Sequence, residues 1–345
     1  MRRLSTAGHL AQLRDVARRR PAGLGFERTI VSMDSTLPSG RANQAPDAAL
    51  YTSRIPEHNA PARTLTMTHP NASQTLSAAL SARYGNDAPQ TSLPTTAVLD
   101  SMLAHRTVRA FDSRPLPAGT LEAMMAAAQS APTSSNLQTW SVVAIEDADR
   151  RERLSKLSGN QAQIRECPLL LVFLADLSRN DRLAERAGES AGANPYFEMF
   201  LVAAIDAALA AQNALVAAEA MGLGTCYIGA MRNHPEAVAA ELGLPPDVSA
   251  VFGLCVGWPD AARLAAAVKP RLTQEAVLFR ERYDSSTEAA LLERYEPEMR
   301  AFQASQGIAE VGWSKTVRAR VKGIEGLSGR HVLKETLERM GFGLK

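Results

Sequence analysis

"FLVAAIDAALAAQNALVAAEAMG", residues 200 to 222, decides how the rest of this chain is read. The run is long enough for about six helical turns and apolar almost all round. A helix of that kind belongs at the centre of a fold or between two copies of a chain. Asp206, Gln212, Asn213 and Glu219 interrupt it, which makes it a poor bilayer span, because polar and ionisable groups are costly in lipid. Gly222 is placed to end the helix in the left-handed conformation, and Gly224 permits the turn into a short strand, "GTCYIG" at 224 to 229. Glycines 222, 224 and 229 do not form a dinucleotide fingerprint. The third comes too late, and the motif follows a helix where a strand is required.

Outward from this helix, "PLLLVFLAD" at 168 to 176 is a continuous apolar run, the pattern of a strand covered on both faces. "WSVVAIE" at 140 to 146 and "AVFGLCVGW" at 250 to 258 read as further strands. "RRERLSKLS" at 150 to 158 and the segment from Pro235 to Glu241 read as helices. The strands alternate with helices but also adjoin long helical runs, so the expected fold is an α+β sandwich with a central sheet. Upstream, Val98, Leu99, Met102 and Leu103 fall at helical spacing, and Thr120 is placed to cap a second helix that buries Leu121, Met124, Met125 and Ala128. The tail after Lys269 is charged, with helical character in its second half.

Composition sets the outer bounds. A chain of 345 residues with 46% apolar content can bury a sizeable core. Its formal charge of +2 carries no field of the kind nucleic-acid binders use, so any anion site must be local. Cys167, Cys226 and Cys255 are far apart and lie among apolar residues. They read as reduced core thiols, which fits a reducing compartment and a cytoplasmic protein. Residues 1–95 are rich in Pro, Ser, Thr, Asn and Arg without sustained periodicity, and are expected to be largely disordered. The first twenty residues are arginine-rich and superficially resemble a mitochondrial presequence, and Arg2–Arg3 resembles a twin-arginine signal without its hydrophobic stretch. Another reading starts the protein at Met67. The expected organisation is therefore an extension over 1–95, a core over 96–283 and a helical C-terminal extension over 284–345.

Three stretches carry candidate chemistry. "HRTVRAF" at 105 to 111 puts His105 and Arg109 one helical turn apart, with the Thr107 hydroxyl between them at the helix end. Arginine forks suit phosphate oxygens; the alternative is a solvated helix terminus, where cations meet the negative end of the dipole. "SAPTSSNLQTW" at 130 to 140 is a polar loop before a buried strand, either a ligand grip or an ordinary Ser/Thr turn. "KPRL" at 269 to 272 holds Lys269 and Arg271 two residues apart across Pro270, unless it is only a solvated loop. The chain lacks H-E-x-x-H and G-x-x-x-x-G-K-[ST], so metalloprotease and P-loop chemistry lose their usual support.

Taken in order and spacing, "HRTVRAF", "APTSSNLQ", "GLGTCYIGAMRN" with "FGLCVGWP", and "KPRL" resemble the nitroreductase family. The resemblance is to its branch of oxygen-insensitive NADPH nitroreductases and NADPH:FMN oxidoreductases, and it runs from about Val98 to Tyr283. It implies a central, mainly antiparallel sheet flanked by helices, and a homodimer that shares its FMN pockets between subunits. It implies further that His105, Arg106 and Thr107, with Lys269 and Arg271, hold the FMN phosphate, while Arg109 lies against the N1 and O2 edge of the flavin ring. Ser134, Ser135, Gln138 and Gln161 would supply polar contacts, and Tyr227, Ile228, Gly229 and Ala230 would lie on the N5 side. Ala230 stands where the family usually has a second glycine.

The implied reaction is two-electron hydride transfer by a ping-pong route from a reduced nicotinamide through FMN to a small-molecule acceptor of nitroaromatic or quinone type. No protein nucleophile, metal, nucleic acid or membrane is involved. NADPH is the first expectation for the reductant. The branch's arginines before a C-terminal tryptophan are, however, missing from "SQGIAEVGWSK" at 305 to 315, which favours tolerance of NADH. Two other readings share the same binding residues: a flavin reductase that supplies reduced FMN to a partner, and a non-catalytic flavin-binding sensor.

Overall fold

The computed structural model describes residues 72–89, 93–263 and 266–345. The expectations for the basic first twenty residues and for a start at Met67 lie outside them. Helices α1 (Ala72–Tyr84), α2 (Ala97–Leu103) and α3 (Thr120–Gln129) lead into strand β1 (Trp140–Ile145). Helices α4 (Ala148–Leu157) and α5 (Ala162–Glu166), strand β2 (Leu169–Asp176), and helices α6 (Ser178–Arg186) and α7 (Phe197–Ala220) follow. Strand β3 (Gly224–Ile228), helix α8 (Pro235–Leu242), strand β4 (Val248–Gly257) and helices α9 (Glu288–Ser305), α10 (Trp313–Val321) and α11 (Leu333–Arg339) complete the order.

The four strands form one sheet in the order β1-β2-β4-β3 with every pairing antiparallel. β2 is buried along its whole length, as its unbroken apolar sequence requires of a strand covered on both faces. Its side chains divide by the two-residue period. Leu169, Leu171 and Phe173 face one cluster with Met124, Ala128 and the alanines of α7, and Leu170, Val172 and Leu174 face another with Leu154, Ile164, Met231 and Val238. The expected α+β sandwich is thus present, with helices on both faces of an antiparallel sheet.

α7 is long and apolar enough to cross a membrane by length and composition, yet it serves as a core helix. Ala203, Ala207, Ala210, Ala211, Ala214 and Ala218 are fully buried, and such small side chains let α7 approach α3 and the sheet closely. Gly222, at φ +82°, follows its C-terminus in the left-handed conformation. The three cysteines are free and buried, and burial pushes the Cys226 and Cys255 thiols upward, away from reactive thiolate character.

Three local expectations are corrected. Thr120 is the first helical residue of α3 and not its cap; the cap is Gly119 at φ +82°, while the Thr120 hydroxyl donates to the Pro117 carbonyl at 2.7 Å. Residues 105–109 are extended, not helical, because α2 ends at Leu103 and Val108 N–H donates to Thr225 O at 2.9 Å. Within the segment expected to be disordered, α1 is an ordered helix with Leu76, Leu80 and Arg83 buried. Long-range contacts made by Arg83, far from its sequence neighbours, supply what local periodicity did not predict.

Candidate functional site

The extended path of residues 105–109 reaches the result the helical reading sought by another geometry. Positions 105, 107 and 109 share one side of an extended chain, while Val108 and Ala110 enter the core at 2% and 3% exposure. Thr107 forms a parallel bridge with Thr225 at the start of β3. Gly224 makes this approach feasible: a Cβ there would stand 2.6 Å from Val108 Cγ2.

His105, Arg106, Thr107 and Arg109 line a cavity of about 250 Å³ together with Lys269 and Arg271. Two stretches far apart in sequence thus converge on one site. Arg83 and Gln306, with Phe302 and Ile308, complete much of its wall. Among the described residues that line it, none is acidic. Lys269 sits above the Phe302 ring at 5.6 Å, and its partial enclosure, followed by the Arg109 and Arg271 charges, holds its pKa below the ordinary lysine value. Glu219 of α7 lies behind the cavity. Its carboxylate accepts from His105 Nδ1 at 2.8 Å and from the Thr225 hydroxyl at 2.7 Å, which fixes the imidazole and leaves Nε2 as its free ring nitrogen.

Such a cradle fits a phosphate dianion. Several cations crowd together without an acid among them, so a bound anion relieves their mutual repulsion and accepts charge-assisted bonds. The residues present therefore fit the phosphate of FMN.

The polar loop lies elsewhere in the same chain. Buried Asp206 of α7 accepts from Ser134 N at 3.2 Å and from Thr139 N and its hydroxyl at 3.2 and 3.0 Å. Between those anchors Ser135, Asn136 and Gln138 hold positive φ values of 48°, 55° and 52°, an uncommon conformation for non-glycine residues. Ser134, Ser135 and Gln138 are exposed. Gln138 lines a separate cavity of about 560 Å³ with Trp140 and Arg179, so none of the three joins the basic cavity within one chain. Gln161 is occupied locally: its Nε2 donates to Ser158 O at 2.9 Å and its Oε1 accepts from Gln163 at 2.6 Å.

Tyr227 is 38% exposed and meets Phe252 edge-on, whereas Ile228 is buried. Gly229 and Ala230 begin a 3-10 turn, Gly229–Arg232, a right-handed conformation that admits the Ala230 Cβ. Trp140 is half-buried and stacks on Phe173 at 6.2 Å. The sequence does contain a G-x-S-x-G stretch, G-E-S-A-G at 188–192, but it follows helix α6, whereas a nucleophile elbow needs a strand-to-helix turn, so α/β-hydrolase chemistry gains no support from it.

Sequence reasoning missed Arg83, Glu219, Asp206 and Phe302. The available signal was Asp206 and Glu219 themselves, two acids set among the apolar residues of the α7 run from 200 to 222, since buried carboxylates need partners. Arg83 and Phe302 had no local signal.

Comparison with known proteins agrees with this geometry. The description "Nitroreductase family" matches residues 102–258, and "Nitroreductase family, C-terminal domain" matches residues 269–345. The chain is 41% identical over 191 residues to an FMN reductase (NADPH) of Bacillus subtilis, covering 55% of this chain and 76% of that protein. It is 37% identical over 210 residues to an oxygen-insensitive NADPH nitroreductase of Salmonella typhimurium, covering 61% and 83%. Among solved structures, the NADPH:FMN oxidoreductase of Vibrio harveyi in complex with NAD+ superposes with a TM-score of 0.64 at 30% identity, covering 72% of this chain and all of that one. The chain belongs to the nitroreductase family, in its branch of oxygen-insensitive NADPH nitroreductases and NADPH:FMN oxidoreductases.

Proposed function

We propose that this protein is an NAD(P)H-dependent FMN oxidoreductase that reduces nitroaromatic or quinone-type acceptors in two half-reactions at one site. The observation that carries this reading is the convergence of His105, Arg106, Thr107, Arg109, Lys269 and Arg271 on one cavity. FMN, when bound, would supply the redox chemistry, a two-electron hydride transfer from NADPH or NADH to the acceptor. The residues of this chain bind, orient and tune. His105, Arg106, Thr107, Lys269 and Arg271 hold the phosphate. Arg109, on the same side of the extended segment, would place a cation beside the flavin ring, where it favours the electron-rich form. Backbone N–H groups of Gly229 and Ala230 suit the N5 side, because a backbone donor occupies little of the ring face.

Ser134, Ser135 and Gln138 do not line the basic cavity of their own chain, which supports a flavin shared between two subunits. A homodimer also covers the exposed stripe Phe197, Leu201, Ile205 and Leu209 of α7, which are 53%, 42%, 48% and 40% exposed. Gln161, held in the α4–α5 turn by its bonds to Ser158 and Gln163, is a further polar contact to the flavin. NADPH remains the first reductant, with NADH tolerated, since Gln306 and Ile308 and no arginine of segment 305–313 reach the cavity wall. The free, buried thiols support a reducing, cytoplasmic setting.

The visible spectrum of the purified protein, followed by anaerobic titration with NADPH and then NADH, tests this reading. A yellow protein that bleaches with a reduced nicotinamide and regains its colour on adding a nitroaromatic is expected. Flavin that binds but never bleaches would overturn the enzyme reading.

A further inference from the structure

The family match begins at residue 102, and α1 lies before it. Yet α1 supplies the one buried cation among the described residues in the wall of the basic cavity. Arg83 is 6% exposed, whereas Arg106, Arg109, Lys269 and Arg271 are all exposed. Its guanidinium donates to Leu103 O at 2.8 Å, to His105 O at 2.9 Å and to Lys269 O at 2.9 Å. Two of those carbonyls belong to the chain entering "HRTVR" and the third to "KPRL", so one planar fork ties together both arms of the cradle. The bond is returned through the backbone, where Arg271 N–H donates to Arg83 O at 2.8 Å.

The residues after Arg83 lock the clasp to the C-terminal helices. Asn86 donates to Glu298 of α9 through its side chain at 3.0 Å, and Asp87 pairs with Arg294 at 3.5 Å. The same α9 contributes Phe302 to the cavity wall. Among the described residues no carboxylate is bonded to Arg83; the nearby Glu219 is engaged by His105 and Thr225. A buried guanidinium held by neutral carbonyls, with Arg271 close by, is a charge short of compensation. Burial and Arg271 accordingly lower its pKa. An anion in the cavity supplies what is missing.

We infer that Arg83 is a positioning residue for the FMN phosphate, and that α1, outside the family span, is part of the cofactor-binding machinery. Arg83 sets the spacing between the arms that carry His105 and Lys269, and its buried charge strengthens the field at the phosphate. This inference rests on the FMN reading above.

The test uses the full chain with Arg83→Gln and Arg83→Lys, and measures dissociation constants for FMN and for riboflavin, which lacks the phosphate. Wild type should prefer FMN. Arg83→Gln should weaken FMN binding about 10- to 100-fold, because it removes both a buried charge and the fork that spaces the two arms, while changing riboflavin binding little. Arg83→Lys keeps the charge but lacks the fork, and should recover part of the FMN preference. Unchanged FMN affinity in Arg83→Gln, or equal losses for both flavins, would overturn the inference, the second by making Arg83 a general fold support. Should Arg83→Gln fail to fold, a wild-type FMN-to-riboflavin ratio in Arg83→Lys overturns it equally. A wild type that binds riboflavin as tightly as FMN sinks the phosphate assignment itself, which is a separate failure.

Discussion

Lys269 gives the cradle a pH signature. Its enclosure and the neighbouring Arg109 and Arg271 charges lower its pKa from the usual 10.5, and only the ammonium form attracts phosphate. FMN affinity should therefore fall as pH rises through that lowered pKa, with proton uptake on binding in the same window. Without ligand the linkage has the opposite sense. The folded state binds this proton less tightly than the unfolded chain, so the group's contribution to stability grows as pH rises toward 10.5 and is lost as pH falls through the lowered value. Titrating FMN affinity from neutral to alkaline pH in wild type and Lys269→Arg checks this, because arginine does not titrate there; a loss that persists in the variant assigns it to another group. Arg271→Ala should weaken FMN binding about 10-fold or more, as removal of a charge-assisted bond does, and unchanged affinity would remove Arg271 from the site. Gly224→Ala should destabilise the fold by about 1–3 kcal/mol, read from the urea midpoint, since its Cβ would press on Val108.

At the scale of elements, α7 does three jobs. Its alanines pack on α3 and the sheet, Glu219 fixes His105, and Asp206 anchors the 133–139 loop. Asp206→Asn keeps the shape but turns an NH2 group toward a backbone N–H that needs an acceptor. It should cost about 1–3 kcal/mol in denaturant unfolding with an unchanged m-value; a neutral effect would mean that the loop holds its positive-φ residues without this anchor. The long, continuously apolar elements were legible before the fold was known. β2 and α7 are long and apolar, and burial alone dictates their place. The segment 105–109 was not legible. A spacing of four residues aligns side chains both on a helix and on an extended chain, and a backbone bond to Thr225, remote in sequence, decides between them. Thr120 failed as a cap for a related reason: Gly119, at positive φ, turns the chain one residue earlier.

For the whole molecule, the exposed α7 stripe and the separation of Ser134, Ser135 and Gln138 from the basic cavity lead to one prediction. Leu201→Glu with Ile205→Glu should convert a dimer into a monomer in sedimentation and weaken FMN retention with it. A monomeric wild type with full flavin occupancy would overturn the shared pocket. The sequence by itself determined the sheet-forming runs, the buried central helix, the local character of the anion site and the family's motif order, because all of these are written in periodicity, composition and short-range spacing. Only the tertiary structure decided that His105, Thr107 and Arg109 align along an extended segment, that Glu219 and Asp206 support the site from the core helix, and that α1 brings Arg83 to its wall. Each of those depends on a polar group meeting a partner remote in the chain, and the strength of such a contact comes from burial, which no local stretch of residues encodes.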